Sequence, residues 1–192
     1  MGSMDHLDRM KVLVDIASLV KRDGVPVQGV FLTHMHLDHV LAMRDVAATA
    51  PVFVGAGDAE DRSFMNLFES GIYNTALAGK APLQEVQFNA DPDGTFAGVR
   101  DVFCDGSFWA ISVPGHTPGS IAYVARTPTG PVLRTGDARH SAWGWEHGVE
   151  PGTFSDDVAR GADSLARLQR FVARHPRIDV RPGHQELGRA AQ

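Results

Sequence analysis

Three histidines and a carboxylate fall within six consecutive positions in the stretch Thr33-His34-Met35-His36-Leu37-Asp38-His39. Imidazole nitrogen and carboxylate oxygen are both ligands for zinc. In an extended turn His34 and His36 point the same way, because side chains alternate with period two, so they can grip one ion. Asp38 and His39 are adjacent and cannot share that direction. If the chain turns helical there, they face a second ion a few ångströms away. The bland alternative is a solvated, histidine-rich loop. The density of donors immediately after the apolar run Gly29-Val30-Phe31-Leu32, which reads as a buried strand ending in a turn, favours the metal-binding reading.

Three more donors stand in similar turns. His116 lies in Val113-Pro114-Gly115-His116-Thr117-Pro118-Gly119-Ser120, Asp137 in Leu133-Arg134-Thr135-Gly136-Asp137, and His184 in Val180-Arg181-Pro182-Gly183-His184. Each follows a short apolar run and a glycine, and a strand ending at glycine can turn sharply and present the next side chain at a sheet edge. No Gly-x-Ser-x-Gly elbow or other side-chain nucleophile is evident.

The order HxHxDH, PGHTPGS, TGD, PGH resembles the metallo-β-lactamase superfamily over roughly residues 25 to 188. The resemblance implies an α+β fold, an αββα sandwich of two mixed β-sheets flanked by helices, with a two-metal site at the sheet edges. It implies that His34, His36 and His116 bind one ion, that Asp38, His39 and His184 bind the other, and that Asp137 bridges them. The seven-ligand set is closer to the glyoxalase II, lactonase and phosphodiesterase branches than to antibiotic-degrading members, many of which carry a cysteine ligand.

Two zinc-type ions ~3.5–4 Å apart can lower the pKa of a shared water to ~7 and supply hydroxide for attack on a carbonyl or phosphoryl centre. Asp38 is placed to orient that water and relay its proton, and Asp137 to hold the metal spacing. Both are therefore the candidate catalytic residues. Thr33, Thr117 and Ser120 carry hydroxyls that could support the ligands. Zinc is the first expectation for the two divalent ions, with iron or manganese also suited to these donors. The expected activity is hydrolysis of an ester or lactone. A phosphodiesterase is the runner-up, followed by a β-lactamase-type amide hydrolase and a metal-binding scaffold of low activity. A diiron redox protein fits less well, because such members usually replace one histidine of the first cluster with an acidic ligand, whereas His36 is kept.

The 192 residues suit one domain, here residues 5–192, after a Met1-Gly2-Ser3-Met4 segment that reads as an expression scar. Hydrophobic residues make up 43% and charged residues 21%, ordinary values for a soluble globular protein. The net charge of −5 argues against nucleic acid and anionic membrane as partners. With no membrane-length apolar run and no signal peptide, the expectation is a cytoplasmic enzyme acting on a small-molecule substrate. The lone Cys104 reads as a small packed hydrophobe.

The elements that must hold these turns can be read in order. Leu7 to Val20 repeats apolar residues at helical spacing and stops near Asp23-Gly24. Val25–Leu32 and Pro51–Val54 read as strands, with a helix over Val40–Ala47 between them. Leu83–Phe88 alternates as a half-buried strand. Val99–Cys104 and Ser107–Val113 read as a hairpin around Asp105-Gly106, and Ile121–Ala125, Val132-Leu133 and Ile178–Val180 complete a second sheet. Ser155 is placed to cap a helix whose buried stripe is Val158, Ala162, Leu165, Leu168, Phe171 and Val172, ending before Pro176. Candidate substrate-cleft residues are Phe64, Met65 and Tyr73 in the variable region, and His140, Trp143 and Trp145 in a stretch, Ala138–Phe154, that reads as a loop. Members of the family begin with several strands of the first sheet, the last ending in Asp-Thr-Gly. No Asp-Thr-Gly precedes His34, so the first sheet is expected to be short of strands and its edge covered by a second copy in a homodimer.

Overall fold

A computed structural model describes residues 15–60, 71 and 74–184. The start of the predicted first helix, the 1–4 segment, and the cleft candidates Phe64, Met65 and Tyr73 lie outside the described residues.

Two sheets form the centre. Strands β1 (Val30–Phe31), β2 (Val52–Val54) and β3 (Leu83–Glu85) make a three-stranded sheet in that order, with parallel pairings. Strands β4 (Val99–Asp101), β5 (Phe108–Ser112), β6 (Ile121–Thr127), β7 (Gly130–Arg134) and β8 (Asp179–Arg181) make a mixed sheet, antiparallel from β4 to β7 and parallel between β7 and β8. The parallel pairing needs a crossover, and a long helix supplies it.

Helix α1 (Ile16–Asp23) is capped by Asp15, whose side chain accepts the Ser18 amide proton, and closes at Gly24 in the left-handed conformation. Helix α2 (Leu37–Val40) is a single turn continued by a 3-10 segment, Leu41–Asp45. Helix α3 (Ala142–His147) corrects the expectation of a loop there: Ser141 caps it by accepting from the Gly144 amide, and Gly148 ends it with positive φ. Helix α4 (Val158–Arg174) is the crossover. Its cap is Asp157, which accepts from the Arg160 amide, and not Ser155, whose hydroxyl donates to Glu150 instead. Its buried face is Gly161, Ser164, Leu165 and Leu168, with Phe171 and Val172 partly buried; Val158 and Ala162 are exposed. The two positions were misread because one turn of α4 packs backbone to backbone on the His116 turn, so a glycine sits where an apolar residue was expected.

The first sheet packs Val52 and Val54 with Leu32, Met35, Val40 and Met43, and the second packs Ile111, Ala122, Leu133 and Val180 with Leu168. Each valine, leucine, isoleucine or methionine fully buried here contributes about 1.5–3 kcal/mol, and alanine less. A third cluster around Ala110, Ile121 and Tyr123, with Phe31, Phe53 and Phe108 against it, joins the two sheets. There the Tyr123 hydroxyl donates to the Leu32 carbonyl at 2.9 Å and the Ile121 amide donates to the Thr33 carbonyl at 2.8 Å. The polypeptide just before His34 is thus tied to the start of β6. Cys104 does not pack: it is exposed in the β4–β5 turn with φ of 58°.

Candidate metal centre

The donors converge from four turns at one end of the sandwich. The chain leaves β1, passes His34, and enters α2 with His36, in extended backbone, as its N-cap and Asp38 and His39 in its only turn. His116 follows β5, Asp137 lies in a 3-10 turn (Gly136–Ala138) after β7, and His184 follows β8. Donor atoms of His34, His36 and His116 lie within 4.8 Å of one another, as do those of Asp38, His39, Asp137 and His184.

The contacts are close. His116 Nε2 is 2.9 Å from His36 Nδ1 and 3.5 Å from Asp137 Oδ2. His39 Nε2 is 3.4 Å from Asp38 Oδ2 and 3.3 Å from Asp137 Oδ1. His184 Nε2 is 3.3 Å from Asp38 Oδ2 and donates to Asp137 Oδ2 at 2.9 Å. Two donors each ~2.0–2.2 Å from a shared zinc, at right or tetrahedral angles, would stand about 3–3.5 Å apart. His34 Nε2 and Asp137 Oδ1 are buried without a hydrogen-bond partner, which is costly unless something else satisfies them. The donor set, its spacing and these orphaned atoms fit divalent metal.

Electrostatics divide the cluster in two. Burial, with the neighbouring His39 charge, pushes His34 well down, and burial with His36 beside it lowers His116 to about 3. Burial also opposes charge on His39, but the close carboxylates of Asp137 and Asp38 outweigh it and raise His39 to about 9. The hydrogen bond to Asp137 raises His184. Burial pushes the Asp137 carboxyl up, and the imidazoles of His140, His184 and His39 around it more than reverse this, holding it far below the usual carboxylate range. Asp38 is more open, its side chain 53% exposed; burial raises it and the His39 contact lowers it further.

Glycines explain how the turns meet. A Cβ on Gly183 would stand 1.9 Å from Asp137 Oδ1, so only glycine lets the His184 turn close over that carboxylate. Gly115, at φ 139°, lies against Gly161 of α4, where a Cβ would meet its backbone nitrogen at 2.2 Å.

The supporting hydroxyls separate. Thr33 Oγ1 is 3.2 Å from Nδ1 of both His34 and His39, a partner shared by two rings of the cluster. Thr117 and Ser120 bond each other instead, and the Thr117 hydroxyl donates to the buried Asp58. Asp58, 2% exposed, carries no motif and was missed in the sequence. Among the cleft candidates, Trp143 is 59% exposed with its ring stacked 4.4 Å from His147. Trp145 packs against the second-sheet core rather than facing the donors. His140 reaches the cluster, its Nε2 2.9 Å from Asp137 Oδ2. The sequence offered one signal for it, the three-residue spacing from Asp137.

A profile of the metallo-beta-lactamase superfamily matches residues 5–183, and the chain belongs to that superfamily. Gamma-lactamase MBL2 of Gibberella moniliformis is 31% identical over 143 residues, covering 69% of this chain and 59% of that protein. N-acyl homoserine lactonase AttM of Agrobacterium fabrum is 28% identical over 170 residues, covering 88% of this chain and 62% of that protein. The chain therefore spans about three fifths of the length of these curated relatives. Among solved structures, an N-acyl homoserine lactone hydrolase with the product N-hexanoyl-L-homoserine bound at its catalytic metal center superposes with a TM-score of 0.63 at 19% identity, over 88% of this chain and 61% of that one. The sandwich fold is thus shared.

Proposed function

We propose that this protein is a metal-dependent hydrolase that opens a lactone or cleaves a related ester, using two divalent ions, with zinc first among them. The observation that carries the reading is the convergence of seven imidazole and carboxylate donors on one cluster with the buried atoms His34 Nε2 and Asp137 Oδ1 unsatisfied. The names of the relatives, a lactonase and a gamma-lactamase, favour a cyclic acyl carbonyl over a phosphodiester.

His34, His36 and His116 would hold one ion, Asp38, His39 and His184 the other, with Asp137 facing both. When bound, divalent ions there supply Lewis acidity toward a carbonyl oxygen and acidify water. The chain's own residues set the rest. Thr33 fixes the His34 and His39 rings from behind. Asp38 is the exposed carboxylate of the cluster; its Oδ2 faces His39 and His184, and its other oxygen would orient a water and accept its proton. Asp137, buried and anionic, holds the two halves together. A homodimer belongs to the same reading, supported by β1, which among the described residues pairs on one side only.

The experiment is a pH-stat assay of zinc-loaded protein against an acyl homoserine lactone, a simple γ-lactone, a γ-lactam, an aryl ester and a bis-aryl phosphodiester. Proton release from the lactones ahead of the phosphodiester supports the reading; phosphodiester turnover alone would replace it.

A further inference from the structure

His140 stands outside the seven-ligand pattern, yet the structure delivers it to the same cluster. The chain leaves the Gly136–Ala138 turn, passes Arg139 in extended backbone, and is held there by two hydrogen bonds from the last turn: the Gly183 amide donates to the Arg139 carbonyl at 2.9 Å and the His184 amide to the His140 carbonyl at 3.1 Å. The His140 ring then lies 5.5 Å from His116 and 4.7 Å from His184, between the two halves of the cluster. Its Nε2, His116 and Asp137 form a third group of donors within 4.8 Å of one another.

The short approach to Asp137 is not a hydrogen bond. His140 Nε2 is 2.9 Å from Asp137 Oδ2 but lacks the directional geometry, and this buried nitrogen has no other partner. His184 Nε2, at the same distance from the same oxygen, does make that bond. A ring nitrogen and a carboxylate oxygen this close with no hydrogen bond between them repel unless a cation is shared by both, and 2.9 Å is about the separation of two donors on one ion.

We propose that His140 is a further metal ligand, which shares an ion with His116 and Asp137. This rests on the metal-dependent reading above. It makes that ion richer in protein donors than its neighbour and leaves it less room for a substrate oxygen.

The test is cobalt(II) titration of metal-free full-length protein, followed by visible absorption and chelator competition. Four-coordinate cobalt(II) absorbs more strongly than five-coordinate. His140→Ala is expected to intensify the bands of one of the two equivalents and weaken its affinity at least ten-fold. His140→Gln keeps a hydrogen-bond donor of similar reach but is a poor ligand, and it is expected to behave like His140→Ala. His147→Ala, on the exposed side of α3, serves as the control and should match the wild type. Circular dichroism checks that each variant folds. A wild-type spectrum for His140→Ala, or rescue of spectrum and affinity by His140→Gln, overturns the proposal and makes His140 a hydrogen-bonding partner of Asp137. Wild-type protein that binds no cobalt would instead sink the metal reading itself.

Discussion

Asp58 Oδ1 accepts the amide proton of Gly119 at 2.7 Å, across 61 residues of chain and between the two sheets. Asp58 Oδ2 accepts from the Thr117 hydroxyl at 3.1 Å, so one buried carboxylate clamps both sides of the turn that carries His116. The turn is drawn in until backbones touch: a Cβ on Gly55, just after β2, would stand 1.6 Å from the Gly119 carbonyl oxygen. This contact brings a histidine of the second sheet to the two histidines of the first. Removing the carboxylate leaves the buried Gly119 amide unsatisfied and the Thr117 hydroxyl with Ser120 alone, a loss of about 1–3 kcal/mol for the amide and less for the hydroxyl. Asp58→Ala is therefore expected to lower stability by ~3 kcal/mol in urea unfolding and to release metal. Asp58→Asn, which still accepts the Gly119 proton, should do less on both counts. Equal stability of Asp58→Ala and wild type would contradict the clamp.

Gly55→Ala should be more severe than Asp58→Asn. The new methyl group cannot be absorbed by a flexible side chain, because the atom it meets is backbone. The expected outcome is a drop of several kcal/mol, in the range of overpacked cores, read as a fall in the thermal midpoint of both metal-free and metal-loaded protein.

Gly183→Ala acts locally. Its methyl group meets Asp137 Oδ1, and the simplest relief moves His184 and the strand end away. Metal content should fall from about two ions per chain toward one, with the fold retained. Elemental analysis of the purified variant reads this directly.

The two halves of the cluster should load differently with pH. His39 is raised to about 9 in the metal-free protein, so its charge stabilises the fold fully below its unfolded value of about 6.5, and that contribution is lost as pH rises through 9. Metal must displace this proton, so affinity at the Asp38, His39 and His184 half should tighten by about tenfold per pH unit between 7 and 9 for each proton released. His116, lowered to about 3, is already neutral in that range, and the His34, His36 and His116 half should show little pH dependence. Isothermal titration with zinc at pH 7, 8 and 9 in buffers of different ionisation enthalpy counts the protons. Identical behaviour of both equivalents would contradict this division.

Far from the cluster, Asp91 accepts from the amides of Asp93, Thr95 and Phe96 at 3.1, 2.8 and 2.9 Å. Slight burial raises its carboxyl, but these bonds and the charge of Arg174 outweigh it and lower the group. A depressed carboxyl contributes stability above its unfolded value near ~4 and loses it as pH falls through the lower folded value. Asp91→Asn should cost about 1 kcal/mol at pH 7, discounted for the exposure of the group, and less at pH 3.

What could be read from the chain alone follows from how local each signal is. His34, His36, Asp38 and His39 are neighbours in sequence, and Gly115, Gly136 and Gly183 precede their donors directly, so the convergence of these side chains on one cluster was legible. So were the Asp105-Gly106 hairpin and most of the second sheet. Asp58 was not, because its partners are 59 and 61 residues away and nothing nearby marks it. Helix α3 was read as a loop because six residues with two tryptophans and a glycine carry no periodicity; Gly144 is there because the Arg139 guanidinium fills the space, 1.3 Å from where a Cβ would sit. Cys104 looked apolar by type, but its backbone belongs to the hairpin turn and the side chain stays outside. Trp145 is held against the core, partly buried, by a helix whose face could not be assigned before the helix itself was known.

The most direct test of the central claim is metal content per chain together with lactone opening by the same sample. Elemental analysis of protein purified without chelator should give close to two zinc ions per chain, and that sample should release protons from a γ-lactone at neutral pH. One ion or none, or a fully loaded protein that leaves every lactone and ester in the panel intact, would contradict the account.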